Sequence, residues 1–325
     1  MSGAMEPDDD LVVAGRYNLA CSQKSAGSGD ELVAGHPSGC SEPGESGAAQ
    51  RGNDTGARPS RVPVESLHTS APGKFAAIAT QYACDVVDGR IAACKWARLA
   101  CQRHLNDLAR TSWQYTFNPE LTDVNGKLYY PVERICKFAQ MLPHIKGDWA
   151  ARGERIRLEA WQVFVLASIF GWVHRDTRRR RFRIADLYVP RKNAKSTIAA
   201  VIGAYMLAAD GEYGAEVYSG ATSEDQAYEV FRPARLMAAT TPEYCKHYGV
   251  TVNISNLAIV STNSKFEPVI GKPGDGASPS CAIVDEYHEH KTSALYDTME
   301  TGMGARSQPL LLIITTAGSD ISGPC

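Results

Sequence analysis

The chain has 325 residues, 44% of them hydrophobic and 22% charged, and a formal net charge of −2. That balance supports a sizeable core in one large or two ordinary domains, and no apolar run approaches the roughly 18 to 20 residues of a membrane span. Nine scattered cysteines form no C-x-x-C pair and have no histidine at zinc spacing, which argues against a disulfide framework and a zinc site and points to reduced thiols in a cytoplasmic protein.

Residues 1–73 hold 11 glycines, 6 prolines and one aromatic, Tyr17. Such a segment buries too little apolar surface to offset its ordering entropy, so a disordered tail is expected there. The tail takes 5 of the 34 basic and 10 of the 36 acidic residues, which leaves the remainder mildly positive at +3. A charge of that size is compatible with DNA without demanding it.

From Lys74 to Arg110 an apolar stripe at helical spacing (Phe75, Ile78, Ala79, Tyr82, Val86, then Ile91, Leu99, Leu105, Leu108) predicts two helices separated near Asp88-Gly89. A shorter helix over Val132–Leu142 and a loop through Gly153 complete a helical N-terminal subdomain, 74–153. An α/β domain is expected over 154–325. It opens with an amphipathic helix from Glu159 to Gly171, then a basic run, Arg178–Arg181, then a strand from Phe182 to Val189. Further strands are expected at 215–221, 251–262 as a hairpin turning at Ser255-Asn256, 266–270, 282–285 and 310–315. Helices are expected at 196–210, 223–239 and 293–304. Strands alternating with helices imply a mainly parallel sheet with its ligand at the carboxyl ends of the strands.

Three polar motifs fall at such ends. Strand 182–189 runs into Pro190-Arg-Lys-Asn-Ala-Lys-Ser-Thr197 and then an apolar helix, the context in which backbone N–H groups and a helix N-terminus surround phosphate while Lys195 and Ser196 reach the terminal phosphate and its Mg²⁺. Val189 and Ala194 stand where the two glycines of G-x-x-x-x-G-K-[ST] belong, and a lysine-rich surface turn is the alternative. Ninety residues on, Ala282-Ile-Val-Asp285-Glu286 reads as a buried strand ending in two carboxylates, costly unless a cation or proton offsets them. In a P-loop enzyme Asp285 holds Mg²⁺ and Glu286 orients or deprotonates the attacking water; an acidic helix cap is the alternative. Thr315 and Thr316 close a third buried strand and are candidates to sense the terminal phosphate, against a plain strand-to-turn transition. Gln162 has an amide suited to adenine N6 and N7, or is an exposed helix glutamine. Arg191, Lys192 and the run Arg178–Arg183 are candidates for charge stabilisation or DNA-phosphate contact, the latter run reading better as a solvated edge. His288 and His290 fit no defensible metal spacing and read as a polar loop.

The same residues resemble the large terminase subunit of tailed bacteriophages, in the group whose loop reads Pro-Arg-Lys-Asn-Gly-Lys-Ser. The likeness runs from about Phe75 to the end and rests on Ala93–Leu108, Trp161-Gln162, Val189–Ser196, Tyr218–Ala227, Ile283–His288 and Thr315-Thr-Ala-Gly318. It implies a P-loop ATPase fold of the ASCE/RecA-like kind, with ATP and Mg²⁺ as cofactors, that pumps double-stranded viral DNA into a procapsid. The expected assembly is a homo-oligomeric ring acting with a portal protein and a small terminase subunit in the host cytoplasm. On this likeness residues 191–197 (Arg191, Lys192, Asn193, Ala194, Lys195, Ser196 and Thr197) form the nucleotide loop, Ser196 and Asp285 hold Mg²⁺, and Gln162 contacts adenine. Glu286 is the catalytic carboxylate, Arg191 assists transition-state charge, and Thr315, Thr316 and Gly318 couple hydrolysis to movement. Ala194 departs from the family glycine, and the family's nuclease domain is not expected in this chain. The other reading is a catalytically impaired prophage remnant that only binds DNA or assembly partners.

Overall fold

The computed structural model describes residues 10–14, 73–123, 125–270, 276–316 and 323–325. A strand, β1 (Asp10–Ala14), precedes two helices, α1 (Lys74–Val87) and α2 (Lys95–Leu108). Then come β2 (Tyr115–Phe117), β3 (Leu121–Thr122), β4 (Leu128–Tyr129), α3 (Pro131–Met141), α4 (Gly147–Ala151), α5 (Ala160–Gly171) and β5 (Trp172–His174). The remainder alternates: β6 (Ile184–Tyr188), α6 (Lys195–Ala208), β7 (Glu216–Ala221), α7 (Glu224–Ala239), α8 (Pro242–Tyr248), β8 (Thr251–Val252), β9 (Leu257–Ile259), β10 (Ser264–Ile270), β11 (Cys281–Asp285), α9 (Ala294–Gly302) and β12 (Leu310–Thr315).

One eight-stranded sheet runs β1-β6-β12-β11-β7-β10-β9-β8. The first six strands in that order are parallel to their neighbours, whereas β9 and β8 are antiparallel additions. The expected hairpin at Ser255-Asn256 is the β8–β9 turn. Strands β11 and β12 are buried at every position, which explains their unbroken apolar sequences: a central parallel strand is covered on both faces. Helix α6 is apolar nearly all round for the same reason, since the sheet lies on one side and α3 approaches the other. Gly203 lets it come that close, because a Cβ there would stand 2.7 Å from the Phe266 ring.

The expectation of a disordered tail over 1–73 is corrected at one place. Asp10–Ala14 forms β1, in parallel register with Ile184–Tyr188 of β6; its run Leu11-Val-Val is strand-forming sequence that the surrounding glycine-rich composition conceals. The rest of that tail lies outside the described residues. The segment expected to end in a loop over 143–153 instead carries the short helix α4, and its helices are joined by the hairpin β3–β4 and by β2, which pairs with β5.

Helices α1 and α3 pack on α5. Their ends are fixed by distant side chains: the Glu133 carboxylate of α3 accepts from the N–H groups of Phe75 (2.7 Å) and Ala76 (3.4 Å), and Asn118 Oδ1 accepts from the Val132 N–H at 3.0 Å. An anionic cap at an N-terminus satisfies orphan donors and complements the helix dipole.

The basic run also needs correction. Arg180 is ion-paired with Asp210 and donates to the Gln308 carbonyl. Arg181 is buried, 2.6 Å from the buried Asp107 of α2 and stacked between Trp113 and Phe182. These two guanidiniums join the segments around the sheet and are not a solvated edge facing DNA phosphates. The flanking residues of the run, Arg178 and Arg179, remain exposed.

Candidate active site

The register of the parallel strands brings the three motifs to one end of the sheet. Tyr188 at the end of β6 lies opposite Thr315 of β12, and Asp285 of β11 opposite Ile314. The Val189 N–H donates to the Thr315 carbonyl at 3.0 Å, so the loop that follows starts beside the end of β12.

That loop, 190–194, holds itself up. Asn193 Nδ2 donates to the carbonyls of Pro190 and Arg191, both at 3.1 Å. Lys192 and Ala194 adopt left-handed conformations (φ 66° and 59°), and Ala194 is the residue that caps α6, with its carbonyl accepting from the Ile198 N–H at 3.0 Å. Helix geometry leaves the N–H groups of Lys195, Ser196 and Thr197 without intrahelical acceptors, at the positive end of the helix dipole. Arg191, Lys192 and Ala194 are exposed, and Asn193, Ser196 and Thr197 half-buried. A Cβ in the left-handed region costs about 1 kcal/mol or more relative to glycine. Replacing Ala194 with Gly is therefore expected to raise stability by about 1 kcal/mol, net of the entropy glycine adds to the unfolded chain. A shift of the urea midpoint to lower concentration would contradict it.

Lys195 is buried and aims at the carboxylates. Its Nζ stands 2.5 Å from Glu286 Oε1 and 3.9 Å from Asp285 Oδ1. The contact with Glu286 is an ion pair without hydrogen-bond alignment: Lys195 Nζ has no acceptor in line, and Glu286 Oε2 no donor, among the described residues. Two buried charged atoms left this way are an incompletely satisfied site: a phosphate oxygen at the helix N-terminus supplies the acceptor that Lys195 lacks, whereas Glu286 Oε2 calls for a donor. Among the described residues no three His, Cys, Asp or Glu side chains converge as a metal cage. Mg²⁺ is suited to such a place, because it keeps several waters and takes one or two protein oxygens beside those of the phosphates. Ser196 and Asp285 are the residues that fit this role.

Glu286 leaves β11 through a left-handed turn (φ 48°, ψ 47°), an unfavoured conformation for a glutamate. Its N–H donates to Asp285 Oδ1 at 2.8 Å, its carbonyl accepts from the Glu289 N–H at 2.8 Å, and His290 Nε2 lies 3.1 Å from the Asp285 carbonyl. The turn sends the chain back over the end of β12, where His288 meets Thr315.

Burial pushes the Asp285 carboxyl up to about 6; Lys195 pulls against this and Glu286 adds to it. The folded protein thus holds this proton more tightly than the unfolded chain, so the group's stabilising contribution is full below its ordinary range near 4 and is lost as pH rises through about 6. Asp285→Asn is expected to stabilise the nucleotide-free protein by about 3 kcal/mol near pH 8, with the gain fading as pH falls from about 6 to about 4. Urea titrations across that range check it, and a pH-independent difference would contradict it.

Gln162 is buried at the start of α5, where its side chain and that of Glu159 form a capping box: Gln162 Oε1 accepts from the Glu159 N–H at 2.9 Å. A two-point reading of adenine requires that cap to open; a single bond from Nε2 does not. Gly318 lies outside the described residues. A separate groove with a cavity volume of about 920 Å³ runs along β7 and β10, but it shares no residue with this site. Its polar groups are already matched: Lys265 pairs with Glu267 at 2.7 Å, and Glu216 accepts from the Tyr218 hydroxyl at 2.6 Å and lies 3.3 Å from Arg306.

A lysine at a strand–loop–helix junction, facing two carboxylates from a strand one removed in a parallel sheet, defines the class of P-loop NTPases in which an extra strand separates the two motifs. The chain belongs to the terminase large subunit family: residues 160–325 match the model of the terminase large subunit ATPase domain. It is 28% identical over 195 residues to the large terminase subunit of Enterobacteria phage HK97, covering 58% of this chain and 36% of that protein. The crystal structure of the HK97 bacteriophage large terminase matches with a TM-score of 0.50 at 25% identity, covering 59% of this chain and 39% of the other. A further relative, Protein YmfN of Escherichia coli (strain K12), is 70% identical over 54 residues, 17% of this chain and 12% of that protein. The chain spans little more than a third of the length of the HK97 terminase. No helix among the described residues is long and apolar enough to cross a membrane.

His288, expected in a polar loop, is instead held against the end of β12. Its position three residues after Asp285 carries no signal of its own, because only the left-handed turn at Glu286 brings it against β12.

Proposed function

We propose that this chain is the ATP-hydrolysing part of a phage DNA-packaging motor. The observation that carries the reading is the convergence of Lys195 Nζ on Glu286 and Asp285, 2.5 and 3.9 Å away, beside a helix N-terminus whose first N–H groups have no intrahelical acceptor. In this reading the loop 191–197 cradles the phosphates of ATP and Lys195 balances their charge. Ser196 and Asp285 hold Mg²⁺, which when bound offsets charge developing on the phosphate oxygens. Glu286, released from Lys195 as phosphate enters, accepts a hydrogen bond from water and its proton on attack. Arg191, exposed at the loop's outer edge, supplies positive charge to the transferring group. Gln162 donates to adenine, and Thr315, Thr316 and Gly318 pass the change in phosphate contacts to the rest of the motor. Double-stranded DNA, a portal protein and a small terminase subunit are the proposed partners, with copies of the chain arranged as a ring at the procapsid in the host cytoplasm.

A second reading has one observation in its favour, the strained non-glycine Ala194 at the cradle: a nucleotide loop too tight for efficient turnover, with the chain acting as a DNA- or assembly-binding module. Measuring phosphate release from Mg-ATP with and without double-stranded DNA tests the first reading, for which DNA-dependent turnover is the expected result. Protein that neither binds nor hydrolyses ATP, even with DNA and assembly partners, would sink it. A turnover near zero that rises sharply in Ala194→Gly would establish the second.

A further inference from the structure

We propose that His288 is a positioning residue that ties the Glu286 carboxylate to the end of β12, so that whatever holds Glu286 is felt at Thr315 and Thr316. The inference rests on the proposed role of Glu286 in activating water. The imidazole is largely buried, and its contacts join the two motifs. Nδ1 lies 2.9 Å from Thr315 Oγ1, and the His288 backbone N–H donates to the same oxygen at 3.2 Å. Nε2 lies 3.4 Å from Thr316 Oγ1. On the other side, Glu286 Oε2 is 3.3 Å from Nδ1, and Glu289 Oε1 is 3.7 Å from Nε2.

The Thr315 hydroxyl donates to the Thr316 carbonyl at 3.0 Å, so its oxygen is an acceptor toward the ring. The proton then sits on Nδ1, and in the neutral ring Nε2 accepts from the Thr316 hydroxyl. One N–H thus faces two acceptors, the Thr315 oxygen that receives it and the Glu286 Oε2 that has no hydrogen bond in line. While Lys195 holds the other Glu286 oxygen, the arrangement is stable. A phosphate that draws Lys195 away leaves both carboxylate oxygens unmatched in a half-buried place, and leaving a buried acceptor unsatisfied costs about 1 to 3 kcal/mol. The nearest donor is the Nδ1–H. When Glu286 takes it, the Thr315 hydroxyl oxygen loses one of the two donors it accepts from and keeps the backbone N–H of His288, while still donating to the Thr316 carbonyl. Nucleotide entry at Lys195 is in this way converted into a looser end of β12, with one imidazole proton as the link.

The test compares three substitutions in the full chain, reading kcat and KM for DNA-dependent ATP turnover. In His288→Asn the amide nitrogen occupies the neighbourhood of Nδ1, whereas in His288→Gln it reaches toward Nε2 instead. His288→Ala and His288→Gln are expected to lower kcat about tenfold to a hundredfold with KM changed by less than about twofold, and His288→Asn to restore kcat to within about threefold. A purely structural role does not separate Asn from Gln. Wild-type turnover with all three substitutions alike, or with KM rising while kcat holds, overturns this inference alone. Absence of turnover in the wild type overturns it together with the proposed function.

Discussion

Replacing Glu286 with Gln is expected to lower kcat for ATP hydrolysis by about 10² to 10⁴-fold, the range removed when a positioned general base is lost. That is roughly 3 to 5 kcal/mol of transition-state stabilisation. Gln keeps an acceptor oxygen for water but cannot take its proton. ATP binding should survive, because the substitution also removes the carboxylate that competes with phosphate for Lys195 at 2.5 Å. Phosphate-release kinetics give the first quantity and equilibrium binding of ATP the second. Turnover within twofold of wild type would remove Glu286 from catalysis, and loss of both turnover and binding would make it a structural residue.

The second large effect is on stability. Asp107→Ala is expected to cost about 3 to 5 kcal/mol, because it leaves Arg181 buried and uncompensated rather than merely deleting a contact. Asp107 and Arg181 meet at 2.6 Å with side chains only 3% and 5% exposed. A second cation at Asp107, Arg110, is 3.4 Å away and 54% exposed, so Arg110→Ala should cost no more than about 1 kcal/mol. Urea unfolding of both substitutions gives the ratio, and equal effects would contradict the assignment of the energy to burial.

How much of this was readable in the sequence depended on whether a segment's partners were near it or implied by its own pattern. The strands β11 and β12 and the helices α5 and α6 were legible because full burial writes a long apolar run, β6 because its mostly buried strand leads straight into the loop, and α7 because Ser223 caps a stretch with apolar residues on one face. The polar residues at their ends followed from the rule that parallel sheets bind ligands there. The convergence of Lys195 and Asp285 was legible for the same reason. Short elements were not: Tyr115–Phe117 is a strand only because Trp172–His174 arrives beside it. Helix α8 did carry signals, Pro242 in its first turn and left-handed Gly249 at its end, but seven residues are too few to show a period. Arg180 and Arg181 misled because a run of like charges ordinarily marks a solvated surface, and their partners Asp210 and Asp107 are 30 and 74 residues away. The direction of His288 depended on one backbone conformation, left-handed at a glutamate, that composition does not disclose.

The position of Asp10–Ala14 has a practical corollary. A protein trimmed to begin at Gly73 would bare the flank of Ile184–Tyr188, the very strand that feeds the phosphate loop, and an unpaired row of amides and carbonyls invites strand addition from other copies. Poor solubility or self-association of such a shortened form would then reflect a stripped border rather than an unstable interior.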